Sequence, residues 1–218
     1  MKNFIIILLT ILLASACKLA TGDKYQSDDG TPAIEEVQNL FKENNDGEIV
    51  FYTNNTKYNK GKGYSLIGFS KKEAETFKSR TLIVNKSSGR SIAAGFGGIY
   101  CYTDDPEYGK TFLIVLISLN GDYCVGEVIN NSIFNYLVDW TASNTLDSIG
   151  YSKNTEIKLS YNEIEDFFHL AINGTEVNKF RDNEAPFHTY GKQGYVVTIY
   201  PIDDFPEIPV EVTFREIE

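Results

Sequence analysis

Apolar and polar positions divide this chain into stretches of different texture. Phe4 to Leu13 is an apolar run interrupted only by Thr10, behind Lys2, and shorter than the roughly 20 residues a membrane-spanning helix needs. Lys18 to Gly30 is polar, contains Gly22, Ser27, Asp28, Asp29 and Gly30, and predicts a disordered tether. Extended at about 3.3 Å per residue, a segment of that length reaches roughly 40 Å. Thr31-Pro32 then offers a helix cap and a proline for the first turn, with Ile34, Val37, Leu40 and Phe41 at helical spacing. A short amphipathic helix to Glu43 is expected. Ser70-Lys71-Lys72-Glu73 has the form of a capping box leading to Phe77 and marks a second short helix.

From Thr81 onward the period changes to two. Strands are predicted over Thr81–Lys86, Ser91–Tyr102, Thr111–Leu119, Asp122–Ile129, Ile133–Trp140, Glu156–Ser160, Phe167–Ile172, Thr175–Phe180, Gly194–Tyr200 and Val210–Ile217. Asn173-Gly174 is a hairpin turn whose two residues suit positive φ, and Asn120-Gly121 reads as a second of the same kind. Phe112 to Ile117 is apolar without alternation, as in a central strand covered on both faces. Phe134, Tyr136, Val138 and Trp140 alternate like a core-facing stripe. The expected fold is all-β: an antiparallel two-sheet sandwich with one or two short peripheral helices.

Behind the first apolar run stand Ala14-Ser15-Ala16 and then Cys17. This resembles the lipobox of bacterial lipoproteins, with Ala14 where Leu is commonest. The resemblance implies export, cleavage after Ala16 and a lipid on Cys17. The alternative is an ordinary secretory signal that leaves a free N-terminal thiol. The organisation expected is a signal peptide over 1–16, the lipidated cysteine and tether over 17–30, and one sandwich domain with an N-terminal helical element over 31–218. Lys18, in place of the Asp that retains many lipoproteins at the inner membrane, points to the outer membrane or cell surface of the envelope.

Charge narrows the partners. The net charge is −10 and the pI about 4.8. No basic stripe is present for a phosphate backbone, which excludes nucleic acid. An acidic surface does not dock on anionic lipid either, so membrane contact falls to the N-terminal lipid. Cys101 and Cys124 remain after Cys17 is assigned. In an exported protein such a pair invites a disulfide. A simple meander, however, places them two strand spacings apart, about 9.5 Å, beyond the ~7 Å that a bridge tolerates. A bridge and two buried thiols both stand as readings.

The segment from Lys86 to Glu216 resembles concanavalin A-like, laminin G-like jelly-roll domains of exported bacterial proteins. The residues that carry this are Ser88-Gly89, Gly95-Phe96-Gly97, Leu116 to Tyr123, Trp140, Gly150, Asn154, Leu170 to Gly174, Gly191 to Gly194 and Val210 to Phe214, in that order. The resemblance implies a β-sandwich and leaves the ligand open, because this fold hosts lectins, adhesins, glycosidases and inert spacers.

Glycosidases on this fold carry Glu-x-Asp-x-x-Glu along a strand, with the carboxylates on one face as acid and nucleophile. Glu163-Ile164-Glu165-Asp166-Phe167-Phe168 comes nearest, but Phe168 occupies the place of the second carboxylate, and a solvated acidic loop is expected. His169 and His188, the two histidines, have no zinc-ligand spacing. Asp104-Asp105 and Asp203-Asp204 offer hard oxygen ligands for calcium, a metal the resemblance makes a fair candidate. Tyr100, Tyr102, Tyr108 and Trp140 are candidate stacking surfaces for sugar rings, the three tyrosines clustering about the Asp104-Asp105 loop. The function expected is a lipid-anchored extracytoplasmic binding or adhesion module toward carbohydrate or an extracytoplasmic protein. A glycoside hydrolase or lyase of the same fold, or a structural envelope lipoprotein, are the alternatives.

Overall fold

The computed structural model of the chain describes residues 32–131, 133–146, 150–182 and 189–217. The segments expected as signal peptide (1–16) and tether (to Gly30), Cys17, Thr31 and His188 lie outside these residues. The strands are β1 (Ala33–Glu36), β2 (Phe41–Glu43), β3 (Ile49–Thr53), β4 (Tyr64–Phe69), β5 (Glu75–Thr76), β6 (Ser79–Ser88), β7 (Phe96–Asp105) and β8 (Gly109–Ile117). They continue as β9 (Asp122–Ile129), β10 (Ile133–Ala142), β11 (Thr155–Asn162), β12 (Phe167–Ile172), β13 (Thr175–Phe180), β14 (Tyr190–Ile199) and β15 (Val210–Ile217). Sheet A runs β1-β4-β14-β7-β8-β9-β10, with β5 pairing β14, and sheet B runs β13-β12-β11-β6-β15-β3-β2. All pairings are antiparallel except β1 with β4. The expected sandwich is thus the fold.

Sheet B alternates as a sheet with one wet face must. Arg80, Leu82, Val84 and Lys86 of β6 point inward and are buried, and Phe168, Leu170 and Ile172 do the same on β12. They meet Leu66, Tyr100, Leu113, Val115, Tyr195 and Val197 from sheet A in the main core. Each such apolar side chain withdrawn from water contributes about 1.5–3 kcal/mol.

Sheet A does not alternate, because both of its faces are apolar. Ile67, Ile99, Phe112, Ile114, Leu116, Cys124, Val128 and Val196 form a second buried cluster on the face turned away from sheet B. The unbroken run Phe112 to Ile117 therefore serves two cores at once.

Several expectations are corrected. The segment expected as a helix from Thr31 to Glu43 is β1, a single 3-10 turn at Gln38–Leu40, and β2. Ile34 joins the outer cluster while Val37 and Phe41 enter the main core, so their three- and four-residue spacing serves two sheets instead of one helix face. The second helix is absent, since Lys71 to Phe77 forms a strap whose Glu75 and Thr76 pair with Gly191 and Tyr190. The stripe on β10 is split by two register shifts, one between Tyr136 and Val138 and one between Val138 and Thr141. Val138 packs on the main core and Phe134 and Trp140 on the outer cluster. Asn173 and Gly174 both have positive φ, of 50° and 78°, but at Asn120-Gly121 only the glycine does, at 91°. That second turn is of another type. Cys101 and Cys124 are both free and buried. They belong to opposite faces of sheet A, with β8 between their strands, which rules out the bridge.

Candidate functional site

The outer face of sheet A is the distinctive surface, because its floor is apolar and its two ends are aromatic. At one end Tyr102 of β7 packs on Phe69 of β4, ring centroids 4.3 Å apart. Tyr190 stands beside them half-exposed. With Glu36, Thr103, Asp104, Asp105, Pro106 and Lys192 they line an open groove of about 690 Å³, within the range of small-ligand sites.

A β-bulge makes this groove. Tyr100 pairs with Leu113 and Thr103 with Thr111, so three steps along β7 match two along β8. The same surplus appears against β14, where Ile99 pairs with Gly194 and Tyr102 with Lys192. Cys101 absorbs the extra residue with φ of 58°. Strict alternation would place Tyr100 and Tyr102 on one face. The bulge instead sends Tyr100 inward and Tyr102 outward. Opposite it, Gly191 has φ of 147°, and a β-carbon there would lie 2.5 Å from the Cys101 carbonyl carbon and 2.6 Å from the Tyr102 oxygen. Only glycine fits.

Asp105 shapes the rim. Its Oδ1 accepts from the backbone N–H of Glu107 at 2.8 Å and of Tyr108 at 3.0 Å, closing the β7–β8 turn. Tyr108 is half-buried at that turn. Asp104 is exposed on the groove side. Burial pushes the Tyr102 hydroxyl above its ordinary pKa, against the opposing pull of Lys110. It therefore stays protonated at neutral pH and can both donate and accept.

The remaining expected residues are dispersed. Tyr100 is fully buried against Phe77 and Arg80 in the main core and is unavailable to any ligand, which corrects its reading as a stacking surface. Trp140 lies at the other end of the outer face, with Phe134, Tyr136, Tyr200 and Ile34. Trp140, whose ring lies against Gly95, is at about 3.3 Å per residue along β7 roughly 20 Å from Tyr102. The crevice at Trp140 measures about 30 Å³, space for little more than one water. Asp203 is buried and fully used: Oδ1 accepts from the N–H of Arg90 at 3.0 Å and Ser91 at 2.9 Å, and Oδ2 from that of Tyr200 at 3.0 Å. Asp204 is ion-paired to Arg90 at 3.1 Å. The Asp104-Asp105 and Asp203-Asp204 pairs do not converge, and among the described residues no group of three acidic, histidine or cysteine side chains could hold a metal.

Carboxylates are distributed in a way that limits the chemistry. The apolar floor on the outward face of the central strands is Ile99, Phe112, Ile114, Leu116, Cys124, Val128 and Val196, and acids on that face stand at its two ends, Asp122 on β9 and Asp104 on β7. Glu127 on β9 is fully buried and lies between Leu113 and Asn135 in register, on the alternation that places Tyr123 and Val125 in the main core. The floor therefore carries no acid and base to flank a glycosidic bond. Glu165 belongs to an exposed turn, where Lys179 holds its carboxyl below the usual range. Phe69, Tyr190, Glu36 and Lys192 enter the groove without any sequence motif to announce them. Gly191 was the one readable signal, as part of the Gly191 to Gly194 stretch that carries the jelly-roll resemblance.

No family model and no curated protein matches the chain. Solved structures do match in fold. A β-glucanase from Bacillus licheniformis superposes with a TM-score of 0.57 at 10% identity, over 92% of this chain and 88% of that one. A laminarinase from Flavobacterium sp. gives 0.51 at 12% identity, over 85% and 82%. The carbohydrate binding module CBM66 from Bacillus subtilis gives 0.50 at 10% identity, over 69% and 78%. At these identities the likeness establishes the jelly-roll sandwich and nothing finer.

Proposed function

We propose that this protein is an exported, lipid-anchored module that binds carbohydrate in the Tyr102 groove. The observation that carries this reading is the groove itself, where Phe69, Tyr102 and Tyr190 offer ring faces beside Glu36, Asp104, Asp105 and Lys192. Sugars present C–H faces that stack on aromatic rings and hydroxyls that bond to carboxylates and ammonium groups. The apolar floor of sheet A, with Asp122 and Asp104 only at its opposite ends, favours binding over hydrolysis.

A glycan array followed by titration of the hits tests this. Tyr102→Ala and Tyr190→Ala are each expected to weaken binding about tenfold, the equivalent of ~1.4 kcal/mol. Absence of any glycan signal at millimolar concentration, or parent-like affinity in both variants, would refute the groove. The anchor rests on the lipobox sequence, Ala14-Ser15-Ala16-Cys17. Cys17→Ser should move the protein from the detergent phase to the aqueous phase; unchanged partitioning would remove the lipid from the reading.

A further inference from the structure

A second cleft lies on the other side of the strap. Residues Lys72 to Thr76 and strand β14 separate it from the Tyr102 groove: Lys192 points to the groove and Gln193 to the cleft. Its volume is about 570 Å³, and it opens at the end of the sandwich where β6, β11 and β15 meet the strap. Lys72, Lys78, Arg80 and Lys158 supply four cations to its wall against the two anions Glu75 and Glu216. In a chain of net charge −10 this is a local reversal of sign. Lys78 and Lys158 are exposed and have no ion-pair partner among the described residues.

Two buried polar atoms of the same wall lack a partner, Nε of Arg80 and Oε1 of Gln193. Both residues are more than nine-tenths buried. A buried polar group left unmet is costly, so a ligand that satisfies both is favoured. The pair is specific in what it requests. Arg80 Nε–H needs an acceptor, best an anionic oxygen, and the Gln193 carbonyl needs a donor such as a hydroxyl. Sulfate provides acceptors only, and a neutral sugar has no charge for the lysines. Both atoms are shielded from water, and the exposed Lys78 and Lys72, the latter ion-paired to Glu216 at 3.3 Å, are the long flexible side chains of the same wall.

We propose that this cleft is a second binding site, distinct from the Tyr102 groove, for a hydroxylated carboxylate of the uronic-acid kind. The carboxylate meets Arg80, Lys78 and Lys158, and a ring hydroxyl donates to Gln193.

The full chain is titrated calorimetrically with glucuronate, glucose and sodium sulfate at matched ionic strength. Glucuronate should bind at millimolar concentration, glucose should not, and sulfate should bind at least about tenfold more weakly than glucuronate. The double variant Lys78→Gln with Lys158→Gln replaces exposed side chains and should lower glucuronate affinity about tenfold. Gln193→Met should lower it while leaving residual sulfate binding unchanged. Tyr102→Ala should leave glucuronate binding intact, which separates this site from the groove. Equal binding of glucose, equal binding of sulfate, or indifference to the lysine pair would each overturn the proposal.

Discussion

Arg80 is the polar strut of the sandwich, and Arg80→Met is the substitution that measures it. The residue rises from the inner face of β6 in sheet B and crosses the core. Its Nη1 donates to the carbonyls of Ile99 at 3.0 Å and Gly194 at 2.8 Å, both in sheet A. Its Nη2 meets Glu216 Oε1 at 2.5 Å, with the arginine side chain 7% exposed. The guanidinium also lies 5.6 Å from the Tyr100 ring centroid and 5.3 Å from that of Tyr195. Methionine keeps the apolar stem but leaves two buried carbonyls and one half-buried carboxylate without their donor. A hydrogen bond to a charged group is worth about 1.5–3 kcal/mol, and breaking a buried pair by removing one partner costs about 3–5 kcal/mol. At roughly 2–4 °C per kcal/mol for a domain of this size, Tm should fall by about 6–20 °C. The pH dependence adds a sign. Burial pushes the Glu216 carboxyl up, but the Arg80 charge and hydrogen bond, helped by Tyr195 and Lys72, outweigh this and hold it below the usual range. A carboxyl depressed in the folded state stabilises above its unfolded pKa, about 4.3, and that contribution fades as pH falls through the folded value. In Arg80→Met burial is opposed only by the Tyr195 hydrogen bond and the Lys72 charge, so the loss of stability on acidification should shrink relative to the parent. Urea melts at neutral pH and near pH 4, with Glu216→Gln completing the double-mutant cycle, read both effects. A loss below about 1 kcal/mol at neutral pH, or the same acid dependence in variant and parent, would refute the strut.

Three further outcomes follow from single contacts. Burial lowers the Lys86 pKa to about 8. Between that value and about 10.4 the unfolded chain binds the extra proton, so stability should rise with pH from 8 to 9.5 in the parent and stay flatter in Lys86→Met, as read by urea melts. A β-carbon at Gly126 would sit 2.2 Å from the Phe134 ring; Gly126→Ala should cost about 1–3 kcal/mol, and an unchanged Tm would show that the ring moves aside freely. Burial pushes the thiols of Cys101 and Cys124 well above the ordinary range, so a thiol reagent should modify neither until the protein is unfolded, and rapid labelling of the native fold would contradict their packing.

The sequence was legible where one face of a strand decides its pattern. Phe167–Ile172, Thr175–Phe180 and Val210–Ile217 form strands with those same bounds, and Asp122–Ile129, buried on both faces, does so through its flanking turns. Ile49–Thr53 and Tyr64–Phe69 went unread, because β3 and β4 are held by partners remote in sequence, β15 and β14. Ile34, Val37 and Phe41 mimic a helix face because a 3-10 turn carries the chain from one sheet to the other between them. Tyr102, Asp104 and Asp105 were named as a cluster and do share one groove. Tyr100 was grouped with them by proximity alone, since a bulge of one residue at Cys101 leaves no composition signature and inverts the face of everything after it.

That inversion carries the functional argument beyond the fold. A sandwich whose sheet A had kept strict alternation through β7 would have buried Tyr102 with Tyr100 and presented no aromatic rim. The bulge, held open by Gly191, gives the sheet a ring-bearing end beside acidic side chains, while the floor behind it stays apolar as far as Asp122 at the opposite end. Hydrolysis on such a floor would need two carboxylates where Ile99, Ile114 and Val196 stand. Recognition needs only the rim. If the groove binds sugar, restoring alternation by deleting Cys101 should abolish binding even where the sandwich still forms, whereas the rim substitutions Tyr102→Ala and Tyr190→Ala should only weaken it; retained affinity in a folded deletion variant, measured by the same titration, would separate the site from the bulge and refute this account.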